Sequence, residues 1–196
     1  MTSQPVTTQP VTTQSATSDL PLAAGRWTLD KNHSGVHFTV RHLGLSNVRG
    51  RFDAFEATLE VGTRLADVAI TAEVDLASVN TNNADRDGHL RSTDFFGTDE
   101  HASMSFRSTS VTGSGDSYEL TGDLTIAGVT EPVTFDVEFN GTDVFPADQS
   151  THAGFTATGQ IKRSDFGIDF GIVLGAEKLM LGDKIKIELD LQFVAP

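Results

Sequence analysis

From Arg26 to Val194 most of the chain alternates apolar and polar residues with a period of two. One parity is apolar in each run: Val36, Phe38 and Val40; Phe55, Ala57, Leu59 and Val61; Val68, Ile70, Ala72, Val74 and Leu76; Ala102, Met104 and Phe106. The pattern continues through Tyr118 to Ile126, Val133 to Phe139, Ala153 to Ile161, and Ile185 to Phe193. The opposite parity is polar, as in Glu73 and Asp75, Asp136 and Glu138, or Lys186, Glu188 and Asp190. Successive side chains of a strand point to opposite faces, so each run offers one face to water and one to an apolar interior. Antiparallel sheets read this way, whereas buried parallel strands read as continuous apolar runs. Turn signals separate the runs at Gly62, Gly113 to Asp116, Ala127-Gly128, Asn140-Gly141 and Gly182-Asp183. Only the stretch 82–96 reads as helix, with Leu90 and Phe95 or Phe96 as its apolar contacts. Many strands, one apolar face each and short connections predict an all-β domain, a sandwich or a closed antiparallel barrel.

The inward parity mixes small residues with large ones. Ala57, Ala72, Ala102, Gly122, Ala153, Ala157 and Gly159 stand among Phe and Leu positions. A barrel of about eight strands either fills its inside with side chains or holds one small ligand. Small inward residues make room for a ligand, or they simply accommodate the chain's 13 phenylalanines at normal packing density. The pattern alone leaves both open.

Composition narrows the function classes. There are no cysteines, so no disulfide, thiolate metal site or cysteine nucleophile is available. The formal net charge of −13 repels phosphate backbones and argues against nucleic-acid binding. No apolar run approaches the roughly 20 residues of a membrane-spanning helix. The first residues repeat PVTTQ-PVTTQ from Pro5 to Gln14 and carry no Lys or Arg before Arg26. Such a Thr/Gln/Pro-rich segment buries too little surface to order itself, so residues 1–24 are expected to form a disordered tail and 25–196 the folded domain. No secretory signal is visible there, which leads to an expectation of a cytoplasmic protein, with secretion or a periplasmic location as the alternative.

Local motifs for chemistry are weak. Asn83 to Asp94 has the oxygen spacing of a calcium loop, with Asp85, Asp87 and Asp94 as candidate ligands, but a strand precedes it where a helix is required. The six histidines form neither HxH nor HExxH. Asp165-Phe166-Gly167 lacks the other kinase signatures, and no nucleophile elbow, Walker loop or dinucleotide fingerprint occurs. His42 is distinctive because it shares parity with Val36, Phe38 and Val40, just before Gly44. It is either a hydrogen-bonded structural histidine or a polar contact at the mouth of an apolar cavity.

Several blocks occur in a telling order: HSGVHFTVRHLGLSNVRGRFDAFEATLEV, ASVNTNNADRDGHLRSTDFF, LTIAGVTEPVTFDVEF, IKRSDFGI and LGDKIKIELDLQFV. Together they resemble the YceI-like family of lipid-binding proteins, collinearly from about Arg26 to Val194. The resemblance turns the calcium-like stretch into the family's helical connection. It implies an extended eight-stranded antiparallel β-barrel, lipocalin-like, with a long apolar lumen and one short helical connection. It implies a non-catalytic protein that binds, transports or stores a polyisoprenoid, an isoprenoid quinone or a fatty amide. The ligand is then a lipid and not a cofactor, transient membrane contact is conceivable, and a homodimer is expected. Lumen-lining candidates are Phe38, Val40, His42, Phe55, Leu59, Met104, Phe106, Phe135, Phe155, Phe166 and Phe170, with ordinary core packing as the alternative for each. Head-group candidates are His42, Arg49 and Arg163, while Arg51 is expected to face solvent. Two competing classes are an enzyme acting on bound lipid through His42 and a carboxylate such as Asp165, and a metal-binding module at Asp85, Asp87 and Asp94.

Overall fold

A computed structural model describes residues 20–171 and 180–196. Eleven strands occur among them: β1 Gly25–Leu29, β2 Gly35–His42, β3 Ser46–Phe52, β4 Phe55–Val61, β5 Ala69–Asp75, β6 Val79–Asn80, β7 Ser103–Ser114, β8 Ser117–Ile126, β9 Val129–Val144, β10 Thr151–Lys162 and β11 Leu181–Val194. One α-helix, α1, spans Ala84–Arg91. All the pairings are antiparallel, in the order β1-β4-β5-β7-β8-β9-β10-β11-β2-β3-β6. A further β1–β11 pairing closes the first eight of these into a barrel.

The chain closes the ring by dividing one edge of β11 between two strands. β1 pairs Thr28 with Val194 and Leu29 with Phe193, and β2 takes over from Asp190↔Gly35 to Leu181↔His42. Between them, Asp30 donates its N–H to the Gln192 carbonyl at 2.8 Å, and Ser34 Oγ donates to the Asp30 carbonyl at 2.7 Å. Gln192 N in turn donates to Ser34 Oγ at 3.0 Å. At the β1 end, Trp27, Leu59, Val61, Tyr118, Phe139, Phe155 and Phe193 form one buried cluster. Leu20 and Leu22, which fall in the stretch expected to be tail, belong to it. The rest of the expected tail, residues 1–19, lies outside the described residues.

The other end carries the β2–β3 hairpin and the helix. The hairpin turns through Leu43 (φ 53°) and Gly44 (φ 70°), left-handed conformations that a short connection of this kind requires. The helix falls within the stretch 82–96 and opens on Asn83, whose side chain accepts from Arg86 N. It is a polar helix held by polar bonds. The buried Asp87 carboxylate accepts from Thr81 N (2.9 Å) and Thr81 Oγ1 (2.5 Å), and Arg91 Nε donates to the Ala77 carbonyl. After it, Phe96 packs on Phe52 with ring centroids 5.9 Å apart.

Asp87→Ala is expected to strand the Thr81 N–H in a buried site and to lower stability by about 1–3 kcal/mol. The readout is a lower denaturant midpoint at unchanged slope; an unchanged midpoint would mean that the arginine contacts alone hold the helix. Asp30 offers a second test. Its carboxylate lies 2.7 Å from His33 Nδ1 and 3.0 Å from Asn32 N. The bond to His33, more than that to Asn32, holds its pKa below the ordinary 3.8. A depressed carboxyl adds stability above its ordinary pKa and loses it as pH falls through the folded value. Asp30→Asn is therefore expected to lower Tm at neutral pH and to flatten the fall of Tm below about pH 4. An acid limb as steep as that of the unmodified chain would contradict this.

Candidate functional site

Inside the barrel lies a cavity of about 250 Å³ that is lined almost wholly by hydrocarbon. It exceeds the roughly 150 Å³ void of a truncated core side chain, which already admits a benzene-sized molecule. It extends from Leu20, Val68 and Tyr118 at the closed end to Arg163, Phe166, Ile168 and Leu181 at the other. The wall shows the hollow directly. Ile185, Ile187, Leu189 and Leu191 all border the cavity, yet each is only half-buried because part of its surface faces open space.

The small inward residues divide into two kinds. Gly122 and Gly159 are seats for rings: a Cβ on Gly122 would stand 2.4 Å from Phe106 Cζ, and one on Gly159 2.7 Å from Phe135 Cδ1. Both rings also border the cavity. Ala57, Ala72 and Ala157 line the open space itself. Ala153 is fully buried in the closed-end cluster, and Ala102 is exposed outside any strand. Small residues therefore make room at some inward positions and seat aromatics at others.

Of the lumen candidates, Phe38, Phe55, Leu59, Met104, Phe106, Phe135, Phe155 and Phe166 border the cavity. Val40, His42 and Phe170 do not. Val40 is buried between Val48 and Ile185 where β2 nears its end, and His42 pairs with Ser46 and Leu181 at the hairpin base. Phe170 instead packs on Phe95 and His89, with centroids 4.9 and 4.8 Å apart. Arg49 is exposed on the outer face opposite Thr39, so it is no part of the cavity wall. Arg51 bonds Asp53 at 2.6 Å on that same outer face.

Arg163 does reach the wall. It begins the turn after β10 and is buried, at 7% exposure. Its Nη1 donates to the Ile168 carbonyl at 2.7 Å, Nε to Gly182 at 3.2 Å and Nη2 to Leu181 at 3.4 Å. None of the ion pairs among the described residues involves it. A guanidinium carries five N–H donors, and among the described residues only three have acceptors.

The competing constellations are not assembled. No hydrogen bond joins His42 to Asp165, and Asp165 is exposed in the turn after β10. Asp87 is turned into Thr81 and Asp94 bonds His89 Nε2 at 2.9 Å, while Asp85 is exposed. Among the described residues no three such side chains are grouped to hold a metal ion.

Sequence parity missed part of the wall. In β7, Ser108 pairs with Gly122 and Ser110 with Thr121, so Thr109 is an extra, bulged residue. A bulge of one residue moves the inward set from even to odd numbers, and Val111 joins the wall after Met104 and Phe106. No residue type announces that bulge. The β11 row from Ile185 to Phe193 was readable from the same alternation as the rest. Phe95 and Phe96 reach the cavity from the helical connection.

A YceI-like domain model matches residues 27–193. A UPF0312 protein of Staphylococcus aureus (strain N315) is 41% identical over 168 residues, covering 85% of this chain and 96% of that protein. Among solved structures, a YCEI protein of Campylobacter jejuni superposes with a TM-score of 0.68 at 30% identity, over 80% of this chain and 90% of that one. Burkholderia cenocepacia BcnA gives 0.72 at 22% identity, over 84% and 98%. A polyisoprenoid binding domain from Saccharophagus degradans, implicated in plant cell wall breakdown, gives 0.61 at 15%, over 87% and 98%. The last two are likenesses of fold alone.

Arg163→Leu is expected to leave the Ile168 and Gly182 carbonyls without their donor and to cost about 1–3 kcal/mol in denaturant unfolding. Arg163→Lys should recover less than half of that, because an ammonium lacks the planar fork that reaches several carbonyls. Full recovery by lysine would assign the role to charge alone.

Proposed function

Because this chain belongs to the YceI-like domain family, we propose that it is a non-catalytic carrier or store of a long-chain isoprenoid-type lipid. The observation that carries this reading is the apolar cavity running along the barrel axis. Each methylene-sized group moved from water into such a wall gains about 0.8 kcal/mol. About ten of them supply about 8 kcal/mol before ordering costs, which sets roughly micromolar affinity as the upper bound for the tail alone. Chain length and width are then selected by the tube, and head-group chemistry by whatever polar group meets the tail's end. Arg163 is the polar group we assign to that end, since it borders the cavity and has acceptors among the described residues for only three of its five N–H donors. A carbonyl-bearing head, as in an isoprenoid quinone or a fatty amide, would accept from it. The name of the Saccharophagus degradans neighbour, a polyisoprenoid binding domain, supports the same class of ligand.

Organic extraction of the purified chain followed by mass spectrometry is expected to return one apolar long-chain compound in stoichiometric amount. A clean extract, together with no binding of added polyprenyl lipids, overturns the proposal. Ala72 faces the open space beside Ala57 and Phe106. Ala72→Phe should fill that stretch and weaken binding at least tenfold while the barrel still folds. Undiminished affinity in a folded variant would remove the ligand from this part of the tube.

A further inference from the structure

The protein is strongly acidic, with 27 acidic against 14 basic side chains. The outer face of β3, β2, β11 and β10 near the hairpin turn reverses that sign. In register, Arg49 stands opposite Thr39, Thr39 opposite Lys186, and Lys162 opposite Lys184. Arg41 lies two pairs closer to the turn, opposite Asn47. All five cations are exposed. Among the described residues only Lys186 has a carboxylate partner, Glu188 at 2.9 Å. Arg41 bonds the neutral Asn47 Oδ1 and the Gly44 carbonyl. Asp183, the nearest carboxylate in sequence on β11, is occupied by Ser164 N and Oγ at 3.1 and 3.0 Å. Lys162 and Lys184 thus face each other as a like-charged cross-strand pair, which costs stability when left uncompensated.

An apolar residue sits at the tip of this basic face. Leu45 is 76% exposed, the most exposed of the large hydrophobic residues in the described chain. It is carried forward by the left-handed Leu43-Gly44 turn. The turn is anchored beside the cavity: Leu43 N donates to the Met180 carbonyl at 2.8 Å, and the adjacent Leu181 lines the cavity and accepts from Arg163.

The geometry points to this end of the barrel as a docking surface for an anionic lipid bilayer. Leu45 enters the interface while Arg41, Arg49, Lys162 and Lys184 meet the head groups. Cations near such a surface each add about a fivefold gain in affinity. In a chain with a net charge of −13, this cluster of cations favours approach to an anionic surface by this end. The docking itself stands on the surface alone; its purpose, loading and unloading the cavity, rests on the lipid-carrier reading.

The test is co-sedimentation of the full chain with vesicles of phosphatidylcholine and with vesicles of equal phosphatidylcholine and phosphatidylglycerol. Binding is expected only to the mixed vesicles, and it should weaken steeply with added salt. The double variant Arg49→Glu/Lys184→Glu should lose at least tenfold in binding, and Leu45→Ser several-fold, with melting temperatures unchanged. Arg26→Glu/Arg64→Glu, at the closed end, should bind as the unmodified chain does. The proposal is overturned by no vesicle binding, by equal binding to both vesicle types, or by equal losses from reversal at either end. Pull-down of an acidic protein through the same residues without vesicle binding would replace the membrane by that partner. Recovery of the extracted lipid from the charge-reversed variant at its usual stoichiometry keeps this outcome separate from the carrier proposal.

Discussion

The architecture hinges on two residue pairs. Thr28↔Val194 and Leu29↔Phe193 are the register contacts by which β1 joins β11 and turns an open sheet into a tube. β1 is five residues long and holds β4 through four pairs on its other side, so closure is brief and confined to one end. Closing a sheet removes its unpaired edges, which would otherwise invite association. Along the remainder of β11 the place of β1 is taken by β2, and the sheet continues outward through β3 to the two-residue β6. One strand edge therefore serves both a sealed end and a splayed end. The Asp30, Ser34 and Gln192 bonds mark the point where one gives way to the other.

A closed barrel of this size is hollow only if its side chains are kept against the wall. Two devices do that here. Phe106 and Phe135 lie over glycines in the neighbouring strand, where a methyl group would collide with their rings. Ala57 and Ala72, paired side by side, keep a stretch of wall low. Atoms that face a hollow have no partner on that side to attract them, so such an interior is a weaker core than a filled one. The densely buried clusters at the closed end and around Phe52 and Leu76 offset that weakness.

The strands were legible because each solvent-facing residue differs in polarity from its neighbours. The resemblance carried by the ordered blocks supplied closure, which alternation alone cannot distinguish from a sandwich. The helix was legible in place but not in its attachment, since Asp87 is polar and reads as surface although its carboxylate is buried on Thr81. The site was legible where parity is regular, as at Phe38 or Phe155. It failed where the chain departs from the pleat. His42 and Val40 keep the inward parity, but β11 shifts register opposite them and the cavity stops short. Thr109 adds a residue without any signal in composition. Arg49 and Arg163 look alike in sequence, and only the fold puts one outside and the other in the wall.

The chain has one tryptophan, and it sits at the sealed end. Trp27 is 1% exposed, and its indole Nε1 donates to the Ala23 carbonyl at 2.9 Å. Intrinsic emission from this protein therefore reports the suture between first and last strands and the short N-terminal segment lying across it. Leu59, Tyr118, Phe155 and Phe193 pack in the same cluster and also border the cavity. A guest that fills the tube to its sealed end therefore touches the shell around that chromophore, whereas one held only at the splayed end does not reach it.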